Sequence, residues 1–136
     1  MEWYRNSLLK EEDFQSLDKE IKILCQKYNV DLPDWMKISK RLRSTDGIYS
    51  LFGNGEYPVS EIKLAYKHYK KFGIESFIRV LRHEVLHHVC YEKGYGTDHN
   101  ETFKDMCLEN NACLNDIFAK GKYESLVYEG IRTDYK

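Results

Sequence analysis

The sequence predicts an α+β protein in which a small antiparallel sheet of three strands packs on helices. Apolar residues recur every three to four positions near the start, alternate in the middle, and then return to the helical spacing. Short turn-forming segments separate the alternating stretches, as in strands joined by hairpins. The chain has 136 residues, of which 42% are hydrophobic and 32% charged. Such a length and composition predict a single domain over residues 1–136.

The first predicted element is an amphipathic helix over residues 11–28. Its apolar residues follow the helical spacing: Phe14, Leu17, Ile21, Leu24 and Tyr28. The segment "YNVDLPD" comes next, and its proline, asparagine and aspartates predict the end of the helix.

Three short strands are predicted after this helix. "KISKRLR" alternates apolar and polar residues, as a half-buried strand does. The turn "STDG" leads to a second strand, "IYSLF", and the turn "GNGEYP" leads to a third, "VSEIKLAY". Because the turns are short, we expect the three strands to be antiparallel.

The helical spacing then returns from about residue 74 to residue 93. One apolar stripe contains Ile74, Phe77, Ile78, Leu81, Val85 and Val89. Gly94 and Gly96 predict its end. "TDHNETF" predicts the start of another helix, with Asp98 as N-cap and Glu101 three residues later. Beyond Asn115 no secondary structure is predicted.

Composition excludes several classes of protein. No apolar run approaches the ~20 residues that span a bilayer, and no secretory signal precedes the first helix, so we expect a cytoplasmic protein without membrane association. The four cysteines form no CxxC pair and are expected to be free thiols. The net charge of −1 argues against a strongly nucleic-acid-binding protein, although residues 37–82 carry ten basic and four acidic side chains.

The stretch "RHEVLHHVC" at residues 82–90 contains the motif HExxH. Residues four apart on a helix lie ~40° apart in projection, so His83 and His87 can present two imidazoles to one ion. Glu84 lies about 100° round the helix, where it can act as a general base without binding the ion. His88 lies roughly 140° from His83 and is assigned to packing or to the surroundings of the site. The alternative is a histidine-rich helix that binds no metal.

A catalytic zinc site needs a third protein ligand. The metzincin spacing is excluded, because Cys90 replaces its glycine and Lys93 its third histidine. His99 is favoured, since the Gly94 and Gly96 turn lets the chain double back over the helix. The remaining downstream candidates are Glu92, Asp98 and Glu101.

The segment "LRHEVLHHVCYEKGYGTDHNETFKDM" resembles the SprT-like (Spartan-type) metalloprotease domain. His83, Glu84 and His87 match the family's motif, His99 matches its third zinc ligand, and Phe103 matches an aromatic residue four positions later. "TDGIYSLFGNGEYPVSEIKLAY" is similar to the family's strands ahead of the helix, so the resemblance covers about residues 36–108.

Two features depart from the family pattern. Asn100 stands where the family commonly has glycine after the third histidine, which changes the local turn. Many relatives also carry a C-terminal zinc ribbon built on CxxC pairs, which Cys107 and Cys113 do not reproduce. We therefore expect no zinc ribbon in this chain.

The resemblance implies a minimal zincin that hydrolyses peptide bonds of a protein substrate with one catalytic Zn²⁺. His83, His87 and His99 would hold the zinc, and Glu84 would be the general base. Tyrosines 123, 128 and 135 are conceivable donors to the oxyanion. The alternative is a non-proteolytic zinc-binding interaction or regulatory domain. No pattern in the sequence predicts an oligomeric state.

A second set of residues suggests DNA as a further partner. "IKLAYKHYKKF" interleaves aromatic residues with Lys63, Lys67, Lys70 and Lys71. Lysines contact phosphates and aromatic rings stack on bases, so this pattern is typical of single-stranded nucleic-acid binding. The resemblance supports it, because Spartan-type enzymes act on proteins crosslinked to DNA. The competing interpretation is a solvated helix face whose aromatic residues pack inward.

Overall fold

The structure is a computed structural model that describes residues 1–4, 8–53 and 55–114. It contains four strands and four helices in these ranges. In chain order they are β1 (Glu2–Tyr4), α1 (Glu11–Lys27), β2 (Trp35–Ser39), β3 (Gly47–Phe52), β4 (Val59–Ala65), α2 (Tyr66–Phe72), α3 (Ile74–Glu92) and α4 (Glu101–Glu109).

The strands form one mixed sheet in the order β1-β2-β4-β3. β1 and β2 are parallel, β2 and β4 are parallel, and only β3 and β4 are antiparallel. The predicted α+β class is confirmed, but the prediction of three antiparallel strands holds only for β3 and β4: the described sheet has four strands, and β2 is parallel to both of its neighbours. β2 ends at Ser39 rather than Arg43, so residues 40–46 form a connection long enough to carry β3 past β2 to the sheet edge. β4 then returns between β2 and β3, and five of its seven residues are buried, as is typical of a central strand.

Two elements were not predicted from the sequence. β1 lies next to β2, and the indole of Trp3 donates to Asp18 of α1 at 2.9 Å. α2 begins at Tyr66, where the sequence predicted the end of a strand. Gly73 has a φ of 88°, a left-handed conformation that glycine adopts readily, and it separates α2 from α3.

The long helices lie within one residue of their predicted bounds. The short helix α4 begins later than predicted, and its N-cap is Asn100 rather than Asp98. The Asn100 side chain accepts a hydrogen bond from the Phe103 amide at 2.9 Å, while Asp98 accepts from the Asn100 amide group at 2.9 Å. Asparagine and aspartate are equally good N-caps, so the pattern alone could not choose between them.

Helix α3 runs through the centre of the protein and contacts α1, α2, α4, β3 and β4. Every residue from His83 to Cys90 is buried. The four cysteines are free and buried, as the sequence predicted. None of the helices in the described ranges is long and apolar enough to cross a membrane.

Candidate metal centre

A cleft of about 450 Å³ lies between the edge strand β3 and helix α3. One wall comes from β3 and the loop before it, and the other comes from α3, the loop after it and the end of the described chain. The lining residues that matter most are Asp46, Gly47, Tyr49, His83, Glu84, His87, His99 and Cys113.

Three histidines of this cleft form a group that could hold a metal ion. His83, His87 and His99 each offer one ring nitrogen, and these nitrogens lie within 4.8 Å of one another. His83 and His87 are buried on one face of α3, whereas His99 is exposed in the loop before α4. The structure thus brings together the three histidines selected from the sequence.

The His83 ring is oriented by the backbone. Its Nδ1 lies 2.5 Å from the carbonyl oxygen of Cys113. A carbonyl oxygen only accepts, so Nδ1 carries the hydrogen and Nε2 keeps its lone pair. Metal-binding histidines commonly donate their second nitrogen in this way. The sequence could not show this contact, because the partner is a main-chain atom.

The other two rings meet at their Nε2 atoms, which are 3.0 Å apart in His87 and His99. In tetrahedral zinc sites with Zn–N of about 2.0–2.1 Å, ligand nitrogens lie about 3.3 Å apart. The Nδ1 atom of His87 is buried and has no hydrogen-bond partner among the described residues. The spacing of the Nε2 atoms fits a metal ion bound by the three rings.

Burial keeps these histidines neutral at physiological pH. Desolvation lowers the pKa of His83 to about 4, against the hydrogen bond to Cys113. Desolvation and the neighbouring His83 and His99 lower the pKa of His87 to about 3. Partial desolvation of the ring also lowers the pKa of His99, although this residue is exposed overall. A histidine must be neutral to bind a metal, so the site holds its ligands in the required state.

Phe103 packs against all three rings. It is fully buried, and its ring centroid lies 4.1 Å from that of His87, 4.9 Å from that of His83 and 5.1 Å from that of His99. The rings of His87 and His99 stack on it nearly parallel. Phe103, the aromatic residue four positions after His99, therefore forms the apolar surface against which the three histidines pack.

The Glu84 carboxylate lies beside the three histidines in the same cleft. Its Oε2 is 3.9 Å from Nε2 of His83. It also approaches β3, because a Cβ atom added to Gly47 would lie 3.0 Å from Cγ and 3.1 Å from Oε2 of Glu84. Glycine at the start of β3 thus leaves room for this carboxylate, a role that no pattern in the sequence indicated.

His88 points away from the group, as its helical position predicted. It is 1% exposed, and its two ring nitrogens contact Tyr49 and the carbonyl oxygen of Asp31, each at 2.8 Å. Burial lowers the pKa of His88 and keeps the ring neutral.

The other downstream candidates do not join the histidine group. Glu92 is exposed and lies 3.9 Å from Nε2 of His88, while Asp98 and Glu101 are exposed around the N-terminus of α4. The tyrosines at 123, 128 and 135, considered as oxyanion donors, lie outside the described residues.

The lysines proposed for DNA lie away from the histidines in the chain, on β4 and α2. Lys63 is half-buried, with its Nζ 3.6 Å from Glu61, whereas Lys67, Lys70 and Lys71 are exposed. The aromatic residues between them turn inward, since Tyr66 and Tyr69 are partly buried against the core and the Tyr69 hydroxyl donates to Asp13.

These observations define a class: an α+β protein with a central helix carrying HExxH and a three-histidine group that could hold a metal ion. Comparison with protein families then identifies the family. The SprT-like family model matches residues 11–123, which is most of the chain. The chain belongs to the SprT-like family, as the motif and third histidine indicated.

Curated relatives agree with this assignment. A protein named "Protein SprT-like" from Bacillus cereus is 27% identical over 76% of this chain and 64% of its own length. One from a second Bacillus cereus strain is 25% identical over 89% of the chain and 77% of its own length. One from Anoxybacillus flavithermus is 32% identical over 62% of the chain and 54% of its own length. The chain therefore spans only part of these relatives. No solved structure matches it significantly.

Proposed function

We propose that this protein is a zinc-dependent metallopeptidase. The observation that carries the proposal is the placement of Glu84 in one cleft with three neutral histidines whose nitrogens lie within 4.8 Å of one another. When bound there, zinc would supply a Lewis acid for the scissile carbonyl and lower the pKa of water to about 7.

Glu84 would act as the general base. Its Oε2 lies at the edge of the histidine group and would accept a proton from the attacking water, then deliver it to the leaving amine. A site that binds zinc only to stabilise the fold has no use for such a carboxylate in an open cleft. This feature favours an enzyme over the alternative of a non-proteolytic zinc-binding domain.

The position of β3 supports a polypeptide substrate. β3 is the last strand of the sheet, so one of its edges has no strand partner among the described residues. That strand also lines the cleft that contains Glu84. An extended peptide can pair with such an edge through main-chain hydrogen bonds, which would place it across the histidines.

We further propose that the preferred substrates are proteins associated with DNA. The exposed lysines at 67, 70 and 71 support an anionic partner, through phosphate contacts rather than base stacking, because the neighbouring tyrosines are partly buried. Binding of this kind would weaken steeply as salt rises.

The test is cleavage of a DNA-bound protein, with and without single-stranded DNA. The wild type should cleave, and a zinc chelator should abolish the activity. Glu84→Gln should bind zinc but lose at least about a hundredfold in turnover, since general base catalysis contributes 10²–10⁴-fold. A Glu84→Gln variant as active as the wild type would contradict the enzymatic proposal. Activity that is unchanged by DNA and by reversing the charge of Lys70 and Lys71 would contradict the DNA proposal alone.

A further inference from the structure

The buried side chain of His88 joins the helix of the histidine group to the edge strand of the cleft. Its Nε2 lies 2.8 Å from the carbonyl oxygen of Asp31, in the loop after α1. Its Nδ1 lies 2.8 Å from the hydroxyl of Tyr49, on β3. Since His88 is 1% exposed, water does not compete for these contacts.

The contact with Asp31 determines which atom donates the hydrogen in the contact with Tyr49. A carbonyl oxygen only accepts, so the hydrogen of the neutral His88 ring is on Nε2. Nδ1 is then an acceptor, and the Tyr49 hydroxyl must donate to it. Burial raises the pKa of Tyr49, so the hydroxyl keeps its hydrogen. The ring of His88 is thus held in one tautomer and one orientation.

The Tyr49–His88 contact joins the two elements, β3 and α3, that form the walls of the cleft. Tyr49 lines the cleft with Glu84, and two residues earlier on β3 Gly47 makes its close approach to the same glutamate. The edge of β3 that has no strand partner among the described residues faces away from β4. The distance between β3 and α3 sets the width of the cleft, and the Tyr49–His88 hydrogen bond spans that distance.

We propose that Tyr49 and His88 are positioning residues that hold β3 at the separation from α3 at which the cleft binds an extended polypeptide. This inference rests on the proposed peptidase function. It assigns His88 a role in substrate affinity, although its ring is turned away from the other histidines. The Tyr49 contact affects substrate affinity, whereas the Asp31 contact only orients the His88 ring.

Four variants separate these roles. Tyr49→Phe removes only the hydroxyl. His88→Gln places an amide near Nε2 and keeps the contact to Asp31, while His88→Asn places an amide near Nδ1 and keeps the acceptor for Tyr49. Tyr91→Phe is the matched control. It removes the same group, a tyrosine hydroxyl, from a ring whose centroid lies 6.5 Å from that of Tyr49.

The measurements are KM and kcat for fluorescently labelled casein as an unstructured polypeptide, and Kd for the same probe in a Glu84→Gln background. Zinc content and the melting temperature are measured on each variant. Tyr49→Phe and His88→Gln should raise KM and Kd roughly three- to tenfold, which corresponds to one net hydrogen bond. The change in kcat should stay within about twofold. His88→Asn should recover the wild-type KM, and Tyr91→Phe should match the wild type.

Each other outcome is decisive. An unchanged KM and Kd in Tyr49→Phe, or an equal rise in Tyr91→Phe, would overturn the inference. If the wild type does not cleave casein or DNA-bound protein, the peptidase proposal fails. The Kd values then decide the inference separately: weaker binding in Tyr49→Phe supports it, and no binding of casein by any form overturns it.

Discussion

Gly47 leaves the space that the Glu84 carboxylate occupies. An added Cβ would lie 3.0 Å from Glu84 Cγ, 3.1 Å from its Oε2 and 3.2 Å from the carbonyl oxygen of Lys63. All three distances are shorter than an ordinary van der Waals contact. The backbone oxygen cannot move without disturbing the β3–β4 pairing, so the glutamate must shift instead.

Gly47→Ala is therefore expected to lower turnover about tenfold or more while leaving the zinc content unchanged, because small displacements of a catalytic group are costly. Turnover and metal content measured on one preparation test this. Gly55→Ala is the matched control, since an added Cβ there meets only the Tyr57 amide at 3.9 Å. Wild-type turnover in Gly47→Ala would show that the carboxylate position is not critical.

Residue patterns in the sequence were sufficient to predict the histidine group but not the residues that contact it. The helical spacing of His83 and His87 follows from local geometry, and the family resemblance supported His99. The contacts of His83 with Cys113 and of His88 with Tyr49 join residues that are 30 and 39 positions apart. Such contacts depend on the tertiary fold, so no local spacing could reveal them.

Helix α4 packs against α3 through Phe103, which lies beneath the three imidazoles. The side chain is fully buried and stacks on His87 at a centroid distance of 4.1 Å. Removing it would leave a cavity directly under the histidine group. The packing of these two helices and the geometry of the group are therefore coupled.

Phe103→Ala should lower the free energy of unfolding by ~3–5 kcal/mol, as phenylalanine truncations in protein cores do. It should also weaken zinc binding, which a competition titration with a chromogenic chelator measures. Leu108→Ala on the same helix is the control, because Leu108 is 49% exposed and should change stability by less than about 0.5 kcal/mol. Equal effects of both substitutions would contradict the coupling.

A buried chain of hydrogen bonds joins the loop before β3 to helices α2 and α3. Nδ1 of His68 on α2 lies 3.0 Å from Asp46, and its Nε2 lies 2.7 Å from the hydroxyl of Ser76 on α3. The order Asp–His–Ser is that of a nucleophilic triad, but His68 is 0% exposed and Ser76 is buried. No substrate can reach the hydroxyl, so the chain ties the loop before β3 to α2 and α3.

The sequence predicted the long helices correctly, because their apolar pattern repeats over several turns. It did not predict which strands pair with each other. Helices α1 and α3 carry several turns of one apolar stripe, and their bounds were predicted within one residue. Strand alternation shows which face is buried but contains no information on neighbours. The sheet order β1-β2-β4-β3 therefore could not be predicted from the strands themselves.

For the whole molecule, burying neutral histidines links stability to pH. The pKa of His83 is about 4 and that of His87 about 3, against 6.5 for an exposed histidine. Below pH 6.5 the unfolded chain binds protons that the folded metal-free protein does not. The contribution of these two histidines to stability is therefore fully present above pH 6.5 and is lost as the pH decreases towards the folded pKa values.

As the pH falls from 6.5 to 5, each of these histidines should lower the free energy of unfolding of the metal-free protein by about 1 kcal/mol per pH unit, with a slope about half as steep at pH 6.5, where the unfolded histidine is half protonated. Urea unfolding at several pH values measures this slope. A variant with asparagine at both His83 and His87 should show a shallower slope. A free energy of unfolding that stays constant over this range would contradict the assigned burial.

We propose that His83, His87 and His99 bind one zinc ion and that Glu84 acts beside it without binding it. Elemental analysis of the purified protein tests this most directly, with His99→Asn and Glu84→Gln measured in parallel. We expect one zinc per chain in the wild type and in Glu84→Gln, and a large loss of zinc in His99→Asn. Protein without zinc, or full zinc retention in His99→Asn, would contradict it.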